Sequence, residues 1–131
     1  MGKEVCIDPG TVIIRAGDPA DKLFLLLEGA VQVELAHNLE AKATRLAVFA
    51  PGVFFGEAAL LGQLRRTANV VARTKARCWQ LEAAQFASLK ATSSEVAWAV
   101  LVVIGRQLAS HVSAANSLID KLERVVSLMV V

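Results

Sequence analysis

Short apolar segments, each closed by a turn signal, fill the first two thirds of the chain, and then the turn signals stop. Val5–Ile7, Val12–Ile14, Leu23–Leu27, Val31–Leu35, Leu46–Phe49, Asn69–Ala72 and Cys78–Leu81 are too short for helices and read as strands. Pro9-Gly10, Gly17-Asp18-Pro19, Glu28-Gly29, Pro51-Gly52 and Arg73-Thr74-Lys75 lie between them. Glycine supplies positive φ at such turns and proline a preset φ of about −65°. Turns recurring roughly every eight to twelve residues argue for an antiparallel sandwich or barrel. The polar stretch from Ala36 to Thr44 reads as an exposed hairpin tip.

After Leu81 the pattern changes. Glu82 to Lys90 reads as a short helix, and Ser93-Ser94-Glu95 offers N-caps for a longer one. From there to the end there is no proline, and Gly105 is the only glycine. Leu101, Leu108, Ala115, Leu122 and Met129 fall seven apart, with Val112, Ile119 and Val126 as a flanking row. Such a stripe is a helix-packing seam. It predicts a homodimer through this helix, or else packing on the chain's own strands or on a further domain.

Composition narrows the partners. Apolar residues make up 55% of the 131, with a mean hydropathy of +0.51, which suggests surface covered by another chain. The most apolar run, Val96 to Ile104, is far shorter than the roughly 20 residues a membrane span needs. Fourteen basic and twelve acidic residues give a net charge of +2 without blocks of one sign, so neither nucleic acid nor membrane insertion is expected. Cys6 and Cys78 are expected as buried free thiols in a reducing compartment, and no metal site is expected. Met1-Gly2-Lys3-Glu4 leads straight into a strand pattern, which predicts a cytoplasmic chain or the cytoplasmic part of something larger.

One stretch does not fit a purely structural reading. In FFGEAALLGQLRRTANVVA, Phe54 to Ala72, a lone carboxylate, Glu57, and a pair of arginines, Arg65 and Arg66, interrupt an apolar run. Gly56 followed by helix formers predicts one helical turn with outward N–H groups, which favour an anion. Ala58 and Ala59 allow close approach, and Arg66 can fork onto a phosphate. Glu57, an acceptor only, suits vicinal hydroxyls. These groups describe a ribose-phosphate pocket, although an internal salt bridge between Glu57 and an arginine would account for the same spacing.

The run from Phe55 to Leu61, followed after three residues by Arg65-Arg66-Thr67-Ala68-Asn69-Val70, resembles the phosphate-binding cassette of the cyclic nucleotide-binding domain family. The resemblance extends upstream to Pro9–Ile13, Ala16–Asp21 and Leu27–Val31, and downstream to the terminal helix. It implies a single domain over 1–131, mainly β with α. The expected fold is an eight-stranded antiparallel jelly-roll barrel over about 3–81, with flanking helices, a short one over about 82–90 and a long C-terminal one over about 94–129. By similarity, Glu57 accepts from the ribose 2′-hydroxyl and Arg66 pairs with the cyclic phosphate. Gly56, Ala58 and Ala59 complete the cradle, Thr67 touches phosphate or base, and His111 on the terminal helix meets the base. Ala58 replaces a frequent Leu or Met, and Arg65, expected to face solvent, replaces Pro or a small residue. The helix that precedes the first strand in the family is missing, so the chain is expected to be part of a larger protein.

No catalytic motif is present. The expectation is a non-enzymatic sensor whose ligand is a cyclic nucleotide, cAMP ahead of cGMP, with no other cofactor. It would report binding through the C-terminal helix to an attached effector domain. The alternative is a degenerate, non-binding fold that serves as a dimerisation or docking module.

Overall fold

A computed structural model describes residues 2–35, 44–60 and 65–130. The strands are β1 (Lys3–Ile7), β2 (Val12–Ile14), β3 (Lys22–Glu28), β4 (Val31–Leu35), β5 (Thr44–Phe49), β6 (Phe54–Phe55), β7 (Asn69–Ala72) and β8 (Ala76–Glu82). A 3-10 turn, Glu57–Leu60, follows β6, and two helices, α1 (Ala83–Thr92) and α2 (Ser94–Val130), follow β8. The hairpin tip expected at 36–44 falls, except for its last residue, outside the described residues, as does the loop 62–64.

The strands form two antiparallel four-stranded sheets, ordered β1-β8-β3-β6 and β2-β7-β4-β5. The expected eight-stranded barrel is therefore corrected: among the described residues neither sheet closes, and no ladder joins one to the other. Nor is the fold mainly β, because α1 and α2 hold more residues than the strands. The turn signals supply the physical reason. Pro9-Gly10, Gly17-Asp18-Pro19, Glu28-Gly29, Pro51-Gly52 and Arg73-Thr74-Lys75 each carry the chain from one sheet to the other. A tight turn at each of these five switches ends the ladder there, so no strand bends through those corners to close the wall. Two of the four sheet edges, β2 with three residues and β6 with two, are also too short to bridge it.

Side-chain packing joins the sheets instead. Phe24 and Leu26 of β3, Phe55 of β6, and Ala76 and Cys78 of β8 meet Ile14, Val31 and Val70 of the second sheet. The Phe24 and Phe55 rings stack with centroids 5.0 Å apart and an interplanar angle of 8°. The first sheet is buried on its other face as well: Leu23 lies opposite Leu81, and both are shielded from solvent. This explains the unbroken apolar run of β3, which an alternating one-faced strand would not need. Leu81 packs with Phe86 of α1 and Ala97 of α2, joined by Leu60, Trp79, Leu89, Val100 and Leu101.

Helix boundaries follow local chemistry. Glu82 caps α1 in a capping box with Gln85, whose side-chain carbonyl accepts the Glu82 N–H at 3.0 Å. The Ser93 N–H returns to the Leu89 carbonyl at 2.8 Å, closing α1 one residue before α2 begins. Leu101 of the heptad stripe faces this chain's own helical core. The side chains of Val112, Ala115, Ile119, Leu122, Val126 and Met129 lie outside the described residues. Among the described residues, no helix is long and apolar enough to cross a membrane.

Of the two cysteines, expected as buried free thiols, Cys78 is buried and Cys6 is not. Strand alternation turns Val5 and Ile7 inward and leaves Cys6 on the outer face, exposed. Cys78, across the ladder from Val5, is fully buried, and burial pushes its thiol pKa up. A thiol-exchange reagent should therefore titrate one cysteine in the native protein and two in guanidinium. Two fast thiols in the native protein would contradict the placement of β8 in the core.

Candidate functional site

Arg66 lies between the last residues of the cassette loop and β7, and its main chain is held on both sides. Its N–H donates to the Asp18 carbonyl at 2.9 Å, and its carbonyl accepts the Gly17 N–H at 2.9 Å. Pro19 and Arg65 form a β-bridge beside this clamp, and the Asn69 side chain accepts the Ala16 N–H at 2.7 Å. The loop between β2 and β3 is thus sewn to the strand that carries Arg66.

The side chain runs inward and is only 8% exposed. One Nη donates to the Gly56 carbonyl at 2.9 Å and the other to the Lys22 carbonyl at 2.6 Å. A guanidinium has five N–H donors, so three are uncommitted among the described contacts. Burial lowers the Arg66 pKa, and Asp21 and Glu57 oppose that shift through their charge. Both ion pairs among the described residues belong to Arg77, so Arg66 is a buried cation without a carboxylate at contact distance. The group stays charged.

Gly56 makes this approach possible. Its φ is +77°, and a Cβ there would stand 3.0 Å from the Lys22 carbonyl oxygen and 3.2 Å from both Arg66 Nη1 and Ile14 Cδ1. The 3-10 turn begins directly after it. The Ala59 N–H is spent within the turn on the Gly56 carbonyl at 3.3 Å, whereas the N–H groups of Glu57 and Ala58 stand at its head.

Gly56, Glu57, Ala58, Arg66 and Thr67 line one cavity of about 180 Å³, walled by Ile14, Val33, Phe49, Phe55 and Val70. Five of the seven expected site residues are thus brought together. Ala59 is not in the lining, and the side chain of His111, on α2, lies outside the described residues. Arg65 is exposed and reaches only toward the Gly17 carbonyl, at 3.4 Å. A wider cleft of about 440 Å³ lies on the other side of Arg66, between β1, β3 and the loop after β2. Its charged lining has both signs, with Arg15, Lys22 and Arg66 against Asp18 and Asp21, and it lacks the glycine-led turn. The smaller cavity is the one that places that turn beside Arg66.

Gln107 of α2 is the group that sequence reasoning missed. Its side-chain carbonyl accepts the Phe54 N–H and its amide donates to the Phe54 carbonyl, each at 3.0 Å. Nothing in a helical sequence signals that one glutamine meets a particular strand residue 53 positions away.

Residues 4–93 match the family described as cyclic nucleotide-binding domain. Over 113 residues the chain is 36% identical to Glutaminase 2 of Bradyrhizobium diazoefficiens, an alignment covering 86% of this chain and 17% of that protein. Over 91 residues it is 36% identical to a cyclic nucleotide-gated potassium channel of Mesorhizobium japonicum, covering 70% of this chain and 23% of the channel. The chain thus spans about a fifth of the length of these curated relatives. Its fold is similar to that of the c-di-GMP responsive global regulator CLP of Xanthomonas campestris, with a TM-score of 0.77 and 26% identity over 83% of this chain and 53% of that one.

Gly56 and Gly10 separate conformation from crowding. Both have positive φ, but a Cβ at Gly10 would meet nothing within 4 Å. Gly10→Ala should cost the left-handed conformation alone, roughly 1–2 kcal/mol. Gly56→Ala should cost more and displace Arg66. Urea midpoints of the two variants check this, and equal losses would mean that the close approach to Arg66 does not matter.

Proposed function

The chain belongs to the cyclic nucleotide-binding domain family, and from that premise we propose that it senses a cyclic nucleotide in the cavity beside Arg66. Domains of this family are regulatory modules and not catalysts, so this domain is not an enzyme. The observation that carries the binding reading is Arg66: a buried guanidinium with donors to spare, no paired carboxylate among the described residues, and a wall of the cavity it shares with Glu57. A cyclic phosphate supplies the missing anion, and the N–H groups of Glu57 and Ala58 add donors. Glu57 then accepts from the ribose 2′-hydroxyl. We assign Gly56, Glu57, Ala58, Ala59, Arg66, Thr67 and His111 to this ligand, Ala59 by shaping the turn and His111 by facing the base.

The cavity is smaller than the roughly 300–1,000 Å³ of whole-ligand sites. Sugar and phosphate fill it, and the base projects outward. Thr67 offers a single hydroxyl, which can accept from the amino group of either base. We put cAMP ahead of cGMP as the ligand to test first.

Transmission uses α2. Leu60 closes the cassette turn and packs against the core shared by α1 and α2. A ligand that prefers one arrangement of this turn shifts the helix with it, in proportion to its differential affinity. At 37 residues α2 is about 55 Å long, and it runs well beyond Ile104, the last residue buried among those described. We read its further course as a homodimer seam and as the route to an attached effector. In the glutaminase and the channel, most of the protein lies outside the matched part, which supports a module that regulates a larger protein. The site would then lie on the cytoplasmic side, where cyclic nucleotides are made.

Calorimetric titration with cAMP, cGMP and cyclic di-GMP tests the reading. Tight binding of a cyclic mononucleotide is expected, and Arg66→Ala should weaken it by roughly 2–5 kcal/mol. That is about thirtyfold or more in Kd. No heat with any nucleotide would leave a docking module, and cyclic di-GMP alone would replace the ligand assigned here.

A further inference from the structure

The two hydrogen bonds of Gln107 form a closed clasp. β6 is an edge strand, paired on one side with β3 through Phe24↔Phe55 and Leu25↔Phe54. On its free side, both main-chain polar groups of Phe54 are taken by one side-chain amide, much as a further strand would take them. Only one orientation of the amide satisfies both bonds, since the N–H must donate and the carbonyl must accept. The contact is half-buried, which protects it from competing water.

Its position matters more than its strength. Phe54 precedes Gly56 by two residues, and Gly56 delivers the carbonyl that orients Arg66. Gln107 stands three turns or so along α2 from Ala97, where the helix is already pinned by Phe86 and Leu81. Leu60, on the far side of the 3-10 turn, packs against that same core. The cassette is therefore attached to α2 at both ends: by apolar contact after the turn and by a two-point polar contact before it. Apolar contacts tolerate sliding, whereas a two-point amide contact has one register.

We infer that Gln107 is a positioning residue that fixes the register of α2 against the β6 strand, and so couples the helix to the mouth of the site. Removing it lets α2 shift along the strand edge and loosens the backbone that presents Gly56. The affinity part of this inference rests on the binding reading above, while the register part concerns the free protein and does not.

The test uses the full chain with two labels, one on the exposed native Cys6 and one on Ser117→Cys, both on exposed positions. Cys78 is buried and stays unlabelled. In the free protein, distance measurement should give a narrow distribution for Gln107 and a broadened or shifted one for Gln107→Leu. Gln107→Glu adds a readout that a merely structural role would not move. As a carboxylate it accepts from the Phe54 N–H but cannot donate to the carbonyl; protonated, it does both. The closed clasp favours the protonated form and raises that carboxyl above its usual value of about 4.3. The clasp is then present at low pH and lost as pH rises through the raised value. Gln107→Glu should give a narrow distribution at about pH 5 and a broad one at about pH 8, with Gln107 narrow at both. Nucleotide affinity should fall about tenfold in Gln107→Leu, within the usual range of coupling between sites. Unchanged distances in Gln107→Leu, or a Gln107→Glu distribution that ignores pH, would overturn the inference. Changed distances without any nucleotide binding would uphold the clasp and sink the binding reading alone.

Discussion

A buried guanidinium sits where the two sheets meet, and much of the molecule is arranged around it. The sheets share no ladder, so their relation depends on the apolar core and on what spans the gap. Arg66 does so with both its main chain and its side chain. The main chain enters β7 of the second sheet while clamped to the loop that leads into β3. The side chain reaches back to the Lys22 carbonyl of β3 and to the Gly56 carbonyl just after β6, both in the first sheet's territory. Hydrogen bonds from a charged donor contribute about 1.5–3 kcal/mol each, yet desolvating an arginine costs several. Two carbonyls only partly offset that cost. Arg66 also lines both neighbouring cavities, so the side chain that joins the sheets is part of the wall of each.

That double role shapes the rest of the site. Gly56 must be glycine because the carbonyl it turns toward Arg66 belongs to a left-handed residue with almost no room for a side chain. The 3-10 turn is short because Leu60, its last residue, is drawn into the helical core. A cassette fastened in this way cannot change shape alone. Whatever moves the turn moves Leu60 and Phe54, and both are bound to α2 by contacts of different kinds. The cavity and the helix are separated by a single turn of chain.

Legibility in the sequence follows the range of the forces involved. Strand segments, the short helix, and the link between Gly56, Glu57 and Arg66 are local patterns, and each is readable from spacing and residue type. The two-residue β6 was hidden because a pair of phenylalanines has no periodicity to detect. Sheet closure was not readable, since the same turns that mark strand ends also allow either a closed wall or two open sheets. Cys6 was misjudged because Val5-Cys6-Ile7 alternates with the cysteine on the outer face, and nothing in three residues reveals which face is inward. Gln107 had no signal at all. Its partner is a backbone group, and backbone groups leave no trace in sequence.

The two cavities lined by Arg66 differ in charge placement as well as in size. Asp21 acts on the guanidinium from the wider cleft and Glu57 from the smaller cavity, and both hold its proton more firmly against the effect of burial. In the cleft, Asp18 and Asp21 meet Arg15, Lys22 and Arg66 itself, so an anion entering there gains from three cations and loses to two carboxylates, without N–H groups from the 3-10 turn. In the smaller cavity, Glu57 is the only carboxylate in the lining, and the 3-10 turn presents its N–H groups instead of opposing charge. An anion that also carries hydroxyls can satisfy Arg66 and Glu57 at once, whereas a bare phosphate would face the carboxylate unaided. Under the proposed binding reading, the pairing of one arginine with one acid discriminates between anions, favouring those in which negative charge and hydroxyl donors are held a fixed, short distance apart.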